Sequence, residues 1–163
     1  MVPNIKKILY PTDLSDNAKH AFRYAADLAL KYDAMITILY VMEDMNYTVE
    51  FQVRGMLGAK EWDRVKTEKR DQLTRKIKSK IEDFCQLMDS KIDSCRLLVG
   101  DIQIVNGNPT EEILNTAKEI NADMIVMGSY GYNIVLDALI GGTTKKVVKN
   151  SEIPVLVVKL PKD

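Results

Sequence analysis

The sequence predicts an α/β protein in which a single parallel sheet is covered by helices on both faces. Short apolar runs typical of buried strands recur along the 163 residues. Helical segments separate these runs, and each connection is long enough for a crossover between parallel strands. The length predicts one domain, residues 1–163, with a proper hydrophobic core.

Composition and charge argue against several classes of protein. Lys and Arg together number 23 and balance 23 Asp and Glu, so no net field indicates a nucleic-acid partner. No run of about 18 apolar residues predicts a membrane span, and the first residues lack a signal-peptide core. Cys85 and Cys95 have no metal-site spacing and are expected to be thiols in a reducing compartment. We therefore expect a cytoplasmic protein that binds neither nucleic acid nor a membrane.

The first half of the chain predicts two strands and two helices. Ile5 to Tyr10 is a strand stopped by Pro-Thr-Asp, and Ser15 can cap the helix that follows. Met35 to Met42 is a strand buried on both faces. Residues 43–59 show no clean period and are predicted to be a loop or a partly ordered insertion. A long amphipathic helix follows, with an apolar stripe made of Leu73, Ile77, Ile81, Phe84, Cys85 and Met88.

The second half predicts three strands and two helices. The strands are 95–105, 123–127 and 154–159, and the helices are 109–120 and 143–150. Gly100-Asp101 predicts a bend in the third strand. Asn108 before Pro109, with Glu111 three residues after the cap, is a strong helix start.

Five parallel strands with right-handed crossovers favour the flavodoxin-like, or Rossmann-like, order 3-2-1-4-5. In such a sheet, ligands bind beyond the carboxyl ends of the strands, at the point where the strand order reverses. The turn at residues 11–13 and the glycines after Met127 should therefore border one crevice.

Glycines are dense between the fourth strand and the next helix, at positions 128, 131, 141 and 142. A helix N-terminus offers unpaired N–H groups and a partial positive charge, which suit a phosphate. Thr143, Thr144 and Lys145 add two hydroxyls and a cation. The alternative is that Gly141-Gly142 only separates one helix from another.

The glycine spacing, G-x-x-G followed by nine residues and G, resembles the nucleotide-binding signature of the universal stress protein family. Residues 10–15, YPTDLS, match the family's opening strand and turn, V-P-x-D-x-S. Further matches occur in order along nearly the whole chain, at residues 108–111 (NPTE), 122–129 (ADMIVMGS) and 153–158 (IPVLVV).

The resemblance implies that the chain binds ATP in a crevice between the first and fourth strands, and leaves open whether Mg²⁺ or Mn²⁺ accompanies it. Asp13 matches the acid at the nucleoside end, and Val41 matches the residue whose backbone meets adenine. The nucleotide-binding residues implied in this way are Pro11, Thr12, Asp13, Val41, Met127, Gly128, Gly131, Gly141, Gly142, Thr143 and Thr144. A homodimer is also implied, through the last strand, Val155, Leu156, Val157 and Val158, whose apolar edge is otherwise open.

Gly142 departs from the family pattern, because Ser or Thr usually stands there. Loss of a hydrogen bond to a charged group, about 1.5–3 kcal/mol, would weaken ATP binding roughly 10-fold or more unless Thr143 or Thr144 replaces the hydroxyl.

Three functions remain open. The favoured one is an ATP-binding regulatory protein of the stress response that acts through an unknown protein partner. The others are a slow ATPase using the same crevice, and a family member that binds no nucleotide. Asp13 is the only evident acid in the motifs, which argues against efficient hydrolysis. The Met-rich segment 42–57 and Trp62 indicate packing or a partner surface.

Overall fold

The computed structural model describes residues 2–87, 98–130 and 140–161. In chain order its elements are β1 (Lys7–Pro11), α1 (Asp16–Tyr32), β2 (Met35–Met42), α2 (Tyr47–Leu57), α3 (Ala59–Leu87), β3 (Val99–Asn106), α4 (Pro109–Glu119), β4 (Met124–Gly128), α5 (Gly142–Asn150) and β5 (Val155–Val158).

The five strands form one parallel sheet in the order β3-β2-β1-β4-β5. The predicted strand order is confirmed. β1 lies at the centre, where Ile8 pairs with Ile36 of β2 and with Met124 of β4. The predicted bend in β3 is also confirmed, because the register with β2 shifts where Gly100 is inserted. Residues 95–97 of the predicted third strand lie outside the described residues.

The core has two layers because successive side chains of a strand point to opposite faces of the sheet. Ile8 belongs to the layer covered by α1 and α3, whereas Leu9 belongs to the layer covered by α4 and α5. Ala21 and Ala25 of α1 are fully buried, so the small residues of this helix let it lie close to the sheet. The carboxyl ends of β1 and β4 thereby come together between the two layers.

The prediction that residues 43–59 form a loop or insertion was wrong. Most of this segment is α2, which begins after the cap Asn46, whose side chain accepts from the N–H of Thr48 at 3.0 Å. The helix ends at Gly58, whose φ of 82° favours glycine. Its apolar side chains surround the helix and are not buried, so they leave no helical period in the sequence. α3 then begins at Ala59 and includes Trp62 in its first turn.

Within the described part of the chain, no helix combines the length and the apolar character that crossing a membrane requires.

Candidate functional site

A cleft of about 150 Å³ lies at the carboxyl ends of β1, β2 and β4. Most of its lining residues were predicted to bind the nucleotide: Pro11, Thr12, Asp13, Val41, Met127, Gly128, Thr143 and Thr144. The others were not predicted: Ala18, Pro109, Ile113 and Tyr130. Gly141 and Gly142 lie beside the cleft at the start of α5. Gly131 lies outside the described residues.

The turn after β1 is held in shape by its own side chains. The N–H of Thr12 donates to the carbonyl of Leu39 at 2.9 Å, and its Oγ1 accepts from the N–H of Leu14 at 3.0 Å. Asp13 Oδ1 accepts from the N–H of Ser15 at 3.0 Å. Asp13 therefore makes the ordinary turn bond as well as lining the cleft, and this bond uses one of its two carboxylate oxygens.

Leu14 adopts a left-handed backbone conformation, with φ of 64°, which is costly for a bulky residue. Its side chain is buried, and its carbonyl accepts from Lys80 Nζ of α3 at 3.2 Å. These contacts attach the back of the turn to the α3 layer. The other side of the turn faces the cleft. Leu14, whose backbone is strained, is therefore the residue at which the chain passes from the cleft to the α3 layer.

Tyr10, one residue before the turn, supports it from the core. Its hydroxyl donates to the carbonyl of Ala18 at 2.6 Å and lies 3.3 Å from Thr12 Oγ1. Burial raises the pKa of Tyr10 well above its usual value; the hydrogen bond with Thr12 lowers it, and the charge of Asp13 raises it further. Tyr10 is therefore a neutral structural group, not a proton donor or acceptor for the cleft.

The start of α5 forms the opposite wall. Gly141 occupies the N-cap position without any side-chain cap bond, and the first turn contains no acidic residue. The N–H of Gly141 donates to the carbonyl of Ser129 at 2.6 Å, which places the helix start directly beyond β4. An uncapped helix N-terminus retains N–H donors and partial positive charge that suit an anion.

The two threonines of α5 have different roles. Thr144 is buried, and its hydroxyl donates to the carbonyl of Gly128 at 3.0 Å. Its proton is therefore used to join α5 to β4. Thr143 is half-buried and lines the cleft, which makes it the hydroxyl donor that can replace the one missing at Gly142.

The glycines also differ in what they accommodate. A Cβ on Gly128 would lie 2.9 Å from Asn17 Nδ2, and one on Gly141 would lie 3.2 Å from the Cα of Tyr130. A side chain at Gly128 would require Asn17 to move, and one at Gly141 would be tightly packed against Tyr130. A Cβ on Gly142 would meet none of the described residues within 4 Å, so no contact among those residues requires glycine there.

Asn17 and Tyr130 were missed by the sequence analysis. Asn17 is buried in the first turn of α1, where Nδ2 donates to the carbonyl of Tyr130 and lies 3.5 Å from Ser129 Oγ. It thus joins the α1 layer to the chain that leaves β4. A signal was present, since Asn17 lies four residues before Ala21 on the apolar face of the predicted helix.

Ala18, Pro109 and Ile113 complete the apolar lining. The start of α4 was predicted from its cap, but nothing local to residues 108–113 indicated that it borders the crevice. Among the described residues, no group of three or more His, Cys, Asp or Glu side chains could hold a metal ion.

The model of the universal stress protein family matches residues 4–159. Universal stress protein MJ0577 of Methanocaldococcus jannaschii is 35% identical over 159 residues, which cover 94% of each chain. The solved structure of MJ0577 superposes with a TM-score of 0.74 at 28% identity, covering 98% of this chain and 99% of that one. Universal stress protein UspA from Lactobacillus plantarum gives 0.69 at 26% identity, covering 95% and 98%.

More distant structures share the fold and include nucleotide complexes. A universal stress protein in complex with cAMP has a TM-score of 0.58 at 18% identity, covering 95% of this chain and 97% of that one. One from Archaeoglobus fulgidus in complex with dAMP has 0.58 at 16% identity, covering 97% and 100%. Because the family model spans nearly the whole sequence and the alignment with MJ0577 covers 94% of each chain, this chain belongs to the universal stress protein family.

Proposed function

We propose that the protein binds ATP in the cleft between β1 and β4 and regulates a partner protein according to its nucleotide state. The observation that carries this proposal is the pairing of two unlike walls across one cleft. One wall is the prearranged Asp13 turn, and the other is the uncapped start of α5. The complexes of two relatives of the same fold with cAMP and dAMP support an adenine nucleotide as the class of ligand.

The residues present fit such a ligand. Asp13 would accept from the ribose hydroxyls, and the backbone at Val41 would meet the adenine. Thr143 and the first N–H groups of α5 would donate to the phosphates, and the open space over Gly142 leaves room for them. A divalent cation, if it accompanies ATP, would be held mainly by the phosphates, because the described lining of the cleft contains only one carboxylate, Asp13.

Binding without rapid turnover follows from the same lining. Hydrolysis requires a positioned water, a base and charge neutralisation, and Asp13, the one carboxylate in the described lining, would contact the ribose and not the phosphates. We therefore place the protein among regulatory binders. Phosphate release at about 1 s⁻¹, an ordinary enzyme rate at the low end, would instead support the ATPase.

The direct test is to extract nucleotide from the purified protein and to measure ATP binding by calorimetry. Asp13→Asn is an informative variant because its amide oxygen keeps the turn bond to Ser15. Loss of the charged acceptor should weaken ATP binding by about 1–2 kcal/mol, roughly 5- to 30-fold, without changing the melting temperature of the free protein. No extracted nucleotide and no heat of binding at millimolar ATP would show that the chain works without nucleotide.

We also propose a homodimer through β5. The carbonyls of Pro154 and Val158 accept from the N–H groups of Ile125 in β4 and of Ser129 just after it. The alternating pattern therefore turns the N–H groups of Val155 and Val157 toward the open edge. A second copy related by a two-fold axis would satisfy them. Val157→Pro removes one such donor but spares the bonds to β4, and it should halve the mass of the assembly in light scattering. A wild-type mass near 18.5 kDa, that of one chain, would refute this dimer.

A further inference from the structure

The α2 helix exposes large apolar side chains that nothing in the cleft explains. None of its 11 residues is buried. Tyr47 is 80% exposed, Phe51 68% and Met56 86%, and the rings of Tyr47 and Phe51 stack on each other with centroids 6.5 Å apart. Short helices gain most of their stability from tertiary packing, so a partner that covers the exposed side of α2 would stabilise it.

The apolar side chains of α2 that lie away from α3 expose a sizeable area. They are Tyr47, Val49, Phe51 and Met56. With full areas of about 150–250 Å² for the aromatic side chains and slightly less for the aliphatic ones, they expose roughly 500 Å². The largest apolar patch of a typical monomer is about 300–600 Å² and is often functional, and each partner buries about 800 Å² in a standard interface, polar residues included.

The geometry of α2 favours a second helix as the covering element. Glu50 faces α3, where its carboxylate contacts Trp62 Nε1 at 3.3 Å and Lys66 Nζ at 3.1 Å. Thr48, Gln52 and Gly55 lie on the opposite side, because residues four and seven apart share a helix face. This outward ridge has small residues at both ends.

Gly55 is the most informative residue of the ridge. Glycine weakens a helix interior relative to alanine, and a Cβ at this position would meet none of the described residues within 4 Å. No contact in the described part of the chain therefore explains this glycine. Its absent side chain would allow another helix to approach closely between the two flanking apolar stripes, Tyr47 and Phe51 on one side and Val49 and Met56 on the other.

The charges of α2 are compatible with a second copy of the chain as the occupant. The helix carries one carboxylate, Glu50, and one guanidinium, Arg54, so it does not repel its own copy. A lipid surface would require an excess of basic residues along the polar face, and α2 offers Arg54 alone.

We propose that α2 is a self-association surface, on which the α2 helix of a second copy packs antiparallel about a two-fold axis. Gln52 then faces Gln52 of the other copy, and Thr48 lies beside Gly55. This contact is separate from the β5 edge and joins β5 dimers into a larger assembly.

A cysteine at the axis tests this geometry directly. Helices that pack about 8–10 Å apart, each of about 2.3 Å radius at Cα, bring facing Cα atoms within disulfide range. Gln52→Cys should form a covalent dimer under mild oxidation at micromolar protein. Gln72→Cys, an exposed position on α3, is the matched control, since both variants retain Cys85 and Cys95. Equal yields in the two variants would overturn the proposal.

The second test separates this surface from the β5 edge. In the Val157→Pro background the chain should still have the mass of a dimer, and adding Gly55→Leu should reduce it to one chain. Gln72→Leu adds the same side chain elsewhere and should leave the mass unchanged. Circular dichroism and a melting curve will show whether Gly55→Leu keeps the fold, as the open space around Gly55 predicts. A folded Gly55→Leu protein that still dimerises in this background would refute the contact.

Discussion

The helices α4 and α5 both begin at the cleft, and they begin in opposite ways. α4 is capped by Asn108, whose Oδ1 accepts from the N–H groups of Thr110 and Glu111, and its first turn contains two acids. α5 starts at Gly141 with no side-chain cap and no acid. One helix thus satisfies its own dipole and donors, whereas the other leaves them for a ligand. A helix N-terminus beside a cleft therefore indicates an anionic ligand only where the helix has no side-chain cap and no acid in its own first turn.

The difference between the two helices can be removed by placing an acid in the first turn of α5. Gly142→Asp should largely abolish ATP binding, because charges about 4 Å apart near a protein surface repel by about 4 kcal/mol, and even 3 kcal/mol lowers an affinity by more than about 100-fold. The free protein should become more stable by about 0.3–1 kcal/mol through the helix dipole. Calorimetry and thermal melting measure the two opposite effects.

Gly142→Asn is the control for this variant, because it has nearly the same shape without the charge. It should keep most of the affinity. An equal loss in both variants would show that space, not charge, is critical at the start of α5.

A hydroxyl added at the start of α5 should increase the difference between the two helices, because it provides one more donor for the ligand. Gly142→Ser places a hydroxyl in space that is open in the structure and should tighten ATP binding by about 1.5–3 kcal/mol, roughly 10-fold or more. Gly142→Ala supplies the Cβ without the hydroxyl and should have little effect in the same titration. If Gly142→Ser behaves like Gly142→Ala, Thr143 already supplies the donor.

The two threonines of α5 should separate stability from binding. Thr144→Val removes the buried hydroxyl that donates to Gly128 and should lower the free energy of unfolding by about 1–3 kcal/mol. Thr143→Val should affect urea denaturation much less and should weaken ATP binding. The reverse pattern would assign the ligand to Thr144.

The smallest effect concerns the capped helix. Asn108→Ala should destabilise the protein by about 1 kcal/mol and leave the ATP affinity nearly unchanged, because the cap serves α4 alone. Urea denaturation and calorimetry on the same sample measure both quantities. A large loss of affinity would mean that the start of α4 also contacts the ligand.

The sequence predicted most of the fold because its signals are local. Apolar runs mark the strands, and the caps Ser15 and Asn108 mark α1 and α4, both of which the structure confirms through their hydrogen bonds. Strand order then followed from general rules of chain connection. The meeting of the β1 turn with the start of α5 followed from that order.

What could not be predicted depends on contacts between distant residues. Gly128 has no room for a side chain because Asn17 of α1 lies against it, and the hydroxyl of Thr144 donates to a carbonyl of β4. α2 escaped detection because its apolar residues do not follow the period of a helix with one buried face. Each case depends on which part of the chain packs against the residue, and the local sequence does not give this information.

The central place of β1 has a consequence for synthesis. β1 can pair with Ile36 of β2 early, but Met124, its partner on the other side, leaves the ribosome roughly 5–20 s later at ordinary rates of translation. During that interval one edge of the central strand is open, and the cleft has only one wall. Nucleotide binding as proposed above would therefore require a completed sheet, and it would stabilise only finished chains.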